Sequence, residues 1–122
     1  MKERELHLGK IAQEFGLETV YVFGSQAKEV EEWIQHRRAA LAIENTSDVD
    51  VGVKALSEKR LTPREKARLT MDLEDFFSVS RLDLVIIQEA DPFLAANIIR
   101  GGRIYEADRV DADEYEPYIL RR

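Results

Sequence analysis

"VYVFGSQAKE", Val20 to Glu29, leaves a run of β-formers on Gly24-Ser25, and "SDVDVGV", Ser47 to Val53, then sets two aspartates on one side of a valine-rich strand. In the first stretch Val20 and Val22 alternate with Tyr21 and Phe23, so both faces are apolar and the strand is read as central and covered on both sides. In the second, Val49, Val51 and Val53 share one face while Asp48, Asp50 and Gly52 share the other. A strand against a packed core normally carries apolar residues inward, so the aspartates call for a use.

Working outward, Leu8, Ile11, Ala12 and Phe15 recur at helical spacing and Gly16 follows at the position of a left-handed cap, predicting a helix over about 4–15. From Lys28 to Ile43 the residues Val30, Trp33, Ile34, Arg37 and Leu41 again fall at steps of three or four, predicting a second helix with Trp33 as a packing anchor. Thr62-Pro63-Arg64-Glu65 is a helix start with a hydroxyl cap, a proline at the first position and a glutamate three residues after the cap. Leu69, Leu73, Phe76 and Phe77 supply its buried stripe. "RLDLVIIQ", Arg81 to Gln88, reads as a third strand; Asp91-Pro92 opens a short helix through about Ile99; and "RIYEA" adds an edge strand before a polar, acidic tail. Alternating helices and strands around a small sheet make an α/β fold.

The chain has 122 residues, which fits one domain, and 44% hydrophobic with 34% charged residues describes an ordinary soluble globular protein. No apolar run approaches the roughly 20 residues of a membrane span and the N-terminus lacks the apolar core of a signal peptide, so a cytoplasmic location is expected. The absence of cysteine removes disulfides and thiolate metal sites. A net charge of −6 argues against sequence-independent nucleic-acid binding, and nucleic-acid and membrane partners are not expected. Six basic residues between Lys54 and Arg68 and six acids between Glu106 and Glu116 read either as solvated faces or as surfaces for phosphate and for a basic partner. His7 and His36, without ligand residues nearby, read as surface residues.

Asp48 and Asp50 lie about 6.8 Å apart along one strand face, and Asp83 joins them if the third strand pairs beside the second in suitable register. Three carboxylates so placed repel one another unless a cation lies between them. Oxygen donors without His or Cys favour a hard divalent cation such as magnesium, whose shell is completed by water and phosphate. Gly24 would let the backbone approach a ligand closely, and the Ser25 hydroxyl with neighbouring N–H groups at a strand-to-helix turn can hold a terminal phosphate. Taken singly, Gly-Ser is a turn dipeptide, Asp-x-Asp a strand end, and Asp83 a residue satisfying backbone amides. Together they describe phosphate chemistry with pyrophosphate as the displaced group.

Gly24-Ser25, then Ser47-Asp48-x-Asp50, then Asp83 within "RLDLVII" resemble the nucleotidyltransferase superfamily that includes DNA polymerase beta. The size and the "FGSQAK", "SDVDVGV" and "NIIRGGRIYE" stretches resemble its minimal MNT-type members, which are encoded beside HEPN-domain proteins. The likeness spans about residues 5–107. It implies a minimal nucleotidyltransferase fold, a small mixed β-sheet flanked by helices, over residues 1–107, followed by an acidic tail over 108–122. It further implies that Gly24 and Ser25 contact the triphosphate of ATP, that Asp48 and Asp50 hold two Mg2+ ions, and that Asp83 is the third ligand and helps activate the acceptor hydroxyl.

Members of this kind act as antitoxins, and some transfer AMP from ATP to a tyrosine of the HEPN toxin. A binding-only antitoxin, or transfer to a small molecule or an RNA end, are the alternatives. The 22 residues from Gln26 to Ser47 exceed the family's usual spacing of about ten, which implies an inserted helix at about 29–43, and Glu29 stands where a glycine is common. An extra helix carrying Trp33 and Ile34 needs apolar cover, so a partner surface or self-association is expected of it.

Overall fold

The computed structural model describes residues 3–36, 48–56 and 58–121. In chain order the elements are α1 (Glu3–Glu14), β1 (Leu17–Phe23), α2 (Ala27–Ile34), β2 (Val49–Ala55), α3 (Pro63–Phe77), β3 (Leu82–Ile86), a 3-10 turn (Ile87–Glu89), α4 (Pro92–Ile99), β4 (Gly102–Glu106) and α5 (Arg109–Leu120). The strands form one sheet in the order β3-β2-β1-β4. β1 pairs antiparallel with both β2 and β4, while β2 and β3 run parallel. The sheet is therefore mixed. Parallel neighbours need a long crossover, and α3 provides it.

Strand alternation divides the core into two layers. Val20, Val22, Val49, Val51 and Val53 face α1, α2 and α3, where Leu8, Ile11, Val30, Leu69, Leu73 and Phe77 close over them. Tyr21 and Phe23 face the other way, onto Ile98 and Ile99 of α4 and Ile119 of α5. β1 is thus covered on both sides, as its two apolar faces require. Gly52 of β2 permits the second layer to close: a Cβ there would fall 2.5 Å from Cγ2 of Ile98.

Local signals account for the helix ends. The Thr62 side chain accepts from the Glu65 N–H at 3.1 Å and the Glu65 carboxylate accepts from the Thr62 N–H at 2.9 Å, closing the capping box at the start of α3. Asp91 caps α4 in the same way, accepting from the Leu94 N–H at 2.9 Å. Trp33 packs against Phe76 and Phe77 at centroid distances of 5.3 and 5.8 Å, with the Arg4 guanidinium 4.5 Å above its ring. It is a packing anchor.

Two expectations are corrected. The helix read from Lys28 to Ile43 begins at Ala27 and ends at Ile34; Gln35 closes it and His36 takes a left-handed φ of +61°. Apolar spacing continues beyond that point, but spacing carries no information on where the backbone leaves the helical region. The rest of the expected insertion, with Arg37, Leu41 and Ser47, lies outside the described residues.

The segment 108–122, read as an acidic tail, contains helix α5. Asp108 caps it by accepting from the Asp111 N–H at 3.0 Å, and Ala112 and Ile119 are buried, Ile119 in the layer with Tyr21 and Phe23. A polar network fixes it there. Tyr21 donates to Glu116 at 2.6 Å, and Arg103 of β4 donates to Glu116 at 3.0 Å and to Asp113 at 2.6 Å. Burial, then the hydrogen bond to Glu116, hold the Tyr21 phenol well above its ordinary value. Among the described residues no helix is long and apolar enough to cross a membrane.

Candidate active site

The start of β2, the start of β3 and the end of β1 meet at one end of the sheet. Antiparallel pairing sets Phe23 opposite Asp50, and parallel pairing sets Asp50 opposite Asp83. Facing residues of paired strands project to the same side. Asp50 and Asp83 therefore share the sheet face that also carries Phe23. Asp50 is half-buried and Asp83 exposed. Asp48, half-buried, stands one residue before β2, with Nε of the exposed Arg81 at 3.5 Å from its Oδ1.

These positions leave a charge problem at Asp50. Its pKa is raised by partial burial first, then by the charges of Asp83 and Asp48, and by a hydrogen bond shared with Asp83. Neighbouring carboxylates that raise one another's cost of ionisation are relieved when a cation stands between them. Among the described residues no group of three or more His, Cys, Asp or Glu is placed to hold a metal ion. Charge coupling extends farther than direct ligation, so the two findings are compatible. The donors, all oxygen and open to solvent, fit a hard divalent cation that keeps waters and takes further oxygens from a ligand.

Gly24 lies against this pair. Its φ is +78°, and a Cβ built on it would stand 2.3 Å from Oδ2 of Asp50. Glycine is needed here for the turn and for the space, and its backbone comes within reach of the carboxylate. Ser25 is exposed in the same turn, just ahead of α2. No side chain caps the start of α2, and the Ala27 N–H donates back to the Gly24 carbonyl at 3.3 Å, which sets the positive end of the helix dipole beside Ser25. A phosphate approaching that turn would meet N–H and hydroxyl donors on one side and the carboxylate pair on the other.

Of the five residues singled out from the sequence, Asp50 meets Gly24 on one side and faces Asp83 on the other, Ser25 adjoins Gly24 along the turn, and Asp48 pairs with Arg81 just ahead of β2. Arg81 was not anticipated. Its place, two residues before Asp83 and just ahead of a strand parallel to the one Asp48 precedes, carries that information once the pairing is known.

A model of the family described as polymerase beta, nucleotidyltransferase matches residues 7–110. No curated relative matches this sequence. Among solved structures, a chain of a toxin–antitoxin with AMP-PNP is 19% identical with a TM-score of 0.66, covering 96% of this chain and 84% of its own. A chain from the tri-AMPylated Shewanella oneidensis HEPN toxin in complex with MNT antitoxin is 18% identical with a TM-score of 0.64, covering 97% of this chain and 82% of its own. A candidate minimal nucleotidyltransferase is 27% identical over 81% of this chain and 85% of its own, with a TM-score of 0.58. Matched over residues 7–110, with its strands arranged around the Asp50–Asp83 pair, the chain belongs to the polymerase beta nucleotidyltransferase family.

Proposed function

We propose that this chain is a metal-dependent nucleotidyltransferase that moves AMP from ATP to a tyrosine hydroxyl of a partner HEPN toxin, and so acts as its antitoxin in the cytoplasm. The observation that carries this reading is the facing of Asp50 and Asp83 with Gly24 against them. The toxin–antitoxin solved with AMP-PNP and the AMPylated toxin solved with an MNT antitoxin share the fold and support the choice of nucleotide and partner.

In this reading Ser25 and the N–H groups at the start of α2 hold the outer phosphates, and Gly24 lets the backbone approach them. Asp48, Asp50 and Asp83 would hold Mg2+, which supplies charge neutralisation on phosphate oxygens and lowers the pKa of a bound hydroxyl. Asp83, exposed on the side away from Gly24, receives the proton of the acceptor hydroxyl. The acceptor oxygen forms a bond to the α-phosphorus, the bond from that phosphorus to the β-bridging oxygen breaks, and pyrophosphate leaves with the electron pair. Atoms and charge balance without a further reactant.

A binding-only antitoxin is the second reading, favoured by Val110, Tyr118 and Leu120, which α5 exposes among its acids. The test is co-expression with a HEPN partner, incubation with Mg2+ and each nucleoside triphosphate, and intact mass measurement beside Asp48→Asn and Asp50→Asn. A gain of AMP mass on the partner, lost in both variants, is the expected result. A stable complex without mass gain would establish the second reading, and transfer surviving both substitutions would overturn the assignment of the aspartates.

A further inference from the structure

Among the described residues β3 lies at the edge of the sheet, paired on one side with β2 and with no strand along the other. Its free edge opens into a groove of about 530 Å³ between the two helical layers. Lys66 and Thr70 of α3 form one wall, and Glu89, Asp91 and Leu94 form the other, with Leu82 to Ile86 as the floor. Asp83 belongs both to this floor and to the carboxylate pair. The groove and the candidate active site are therefore continuous.

The groove is acidic. Asp83, Glu89 and Asp91 stand against one cation, Lys66, whose ammonium is already 2.8 Å from Glu89. A polyanion such as an RNA end would meet uncompensated carboxylates, and so would a second copy of this chain with its net charge of −6. A strand edge with unpaired N–H and C=O groups takes an extended peptide most readily. Phe93, 90% exposed between the groove-lining Asp91 and Leu94, offers an aromatic anchor at the rim.

We infer that the acceptor reaches the site as an extended, neutral or basic segment of a partner protein, added as a fifth strand along the free edge of β3. A residue paired opposite Asp83 would project to the same face as Asp83 and Asp50, from a backbone about 4.8 Å away. Strand addition thus supplies both docking and aim. This inference rests on the proposed transferase activity for its chemistry, though not for its docking geometry.

The experiment uses the full chain with a co-expressed HEPN partner. Amide hydrogen exchange is followed over 82–86 in the free chain and in the complex, and steady-state transfer is measured for wild type, Ala67→Arg and Phe93→Ala. Ala67 is exposed and lines the groove, so an arginine there narrows it without entering the core. Protection of the β3 amides in the complex is expected, with the partner's KM raised about tenfold in each variant and ATP affinity unchanged, the scale of losing a single anchoring contact. β3 amides that exchange at the free rate in a tight complex would overturn the inference. So would protection that appears in the chain alone as concentration rises, which marks self-pairing, or transfer to an RNA oligonucleotide blocked by Ala67→Arg. If wild type transfers no nucleotide, the transferase reading fails while the exchange data still decide the docking.

Discussion

Asp50 and Asp83 occupy directly facing positions in a parallel strand pair, and the pKa of Asp50 is raised by partial burial first and then by the charge of Asp83. A folded carboxyl with a raised pKa binds its proton more tightly than the unfolded chain does. Stability is therefore greatest below the unfolded value and falls as pH climbs through the folded one. Asp50→Asn removes this dependence. In cation-free buffer it is expected to melt at or above wild type at neutral pH, while wild type alone gains Tm on adding Mg2+. The same substitution should cut nucleotide transfer by roughly 10²-fold or more, since several kcal/mol of charge stabilisation are lost. Thermal melts across pH with and without Mg2+, beside single-turnover assays, check both halves. A variant that still responds to Mg2+ as wild type does would refute the cation site.

Gly24→Ala meets two obstacles: a left-handed φ and a Cβ 2.3 Å from Asp50 Oδ2. The expected loss is about 1–3 kcal/mol in denaturant unfolding, with activity lost as the carboxylate is displaced. Adding Asp50→Ala to the same chain removes the clash but not the backbone strain. Part of the loss should therefore return, and a double-mutant cycle should give a clear coupling energy. Simple additivity would mean that Gly24 and Asp50 do not touch.

How far the sequence disclosed this arrangement varies with the range of the signal. Alternation in β1 and β2 and the capping box at Thr62 are local patterns, and each maps onto the structure residue by residue. The facing of Asp50 and Asp83 depended on register between strands separated by α3, which periodicity leaves open until pairing is known. α5 was missed for a different reason: its charges, and Pro117 within it, mask the spacing of Ala112, Tyr115 and Ile119. What commits that segment to the sheet is Arg103 of the preceding strand and Tyr21, distant in sequence. The end of α2 was misplaced because a left-handed His36 leaves no mark in apolar periodicity.

α5 is expected to contribute to stability as well as to any docking. Ending the chain at Ala107 would uncover Phe23 and Ile99 and strand Tyr21 and Arg103 without Glu116. Ile119→Ala should cost about 2–4 kcal/mol by cavity formation. Glu116→Gln, which keeps volume but removes charge from a half-buried Arg103–Tyr21 contact, should cost about 1–3 kcal/mol. Urea unfolding monitored at Trp33 measures each. Truncated protein as stable as the full chain would show that α5 packs only weakly, and would return the segment to a purely external role.

Arg81, exposed, pairs with the half-buried Asp48 at 3.5 Å, and in the proposed cation site its charge would compete with a metal for that carboxylate. Ion pairs of this exposure are worth about 0–1 kcal/mol, so Arg81→Ala should leave the fold's stability within that range. Its effect on cation binding has the opposite sign. With the guanidinium gone, Asp48 is free to turn toward Asp50, and Mg2+ affinity should rise by up to about fivefold, the same energy expressed as a ratio of dissociation constants. Arg81→Lys, retaining charge, should restore the wild-type value, whereas Arg81→Gln should behave as the alanine does. Calorimetric Mg2+ titration at fixed ionic strength separates these variants. If all three bind Mg2+ like wild type, Asp48 takes no part in the cation site, and the Asp50–Asp83 pair would have to hold the ion without it.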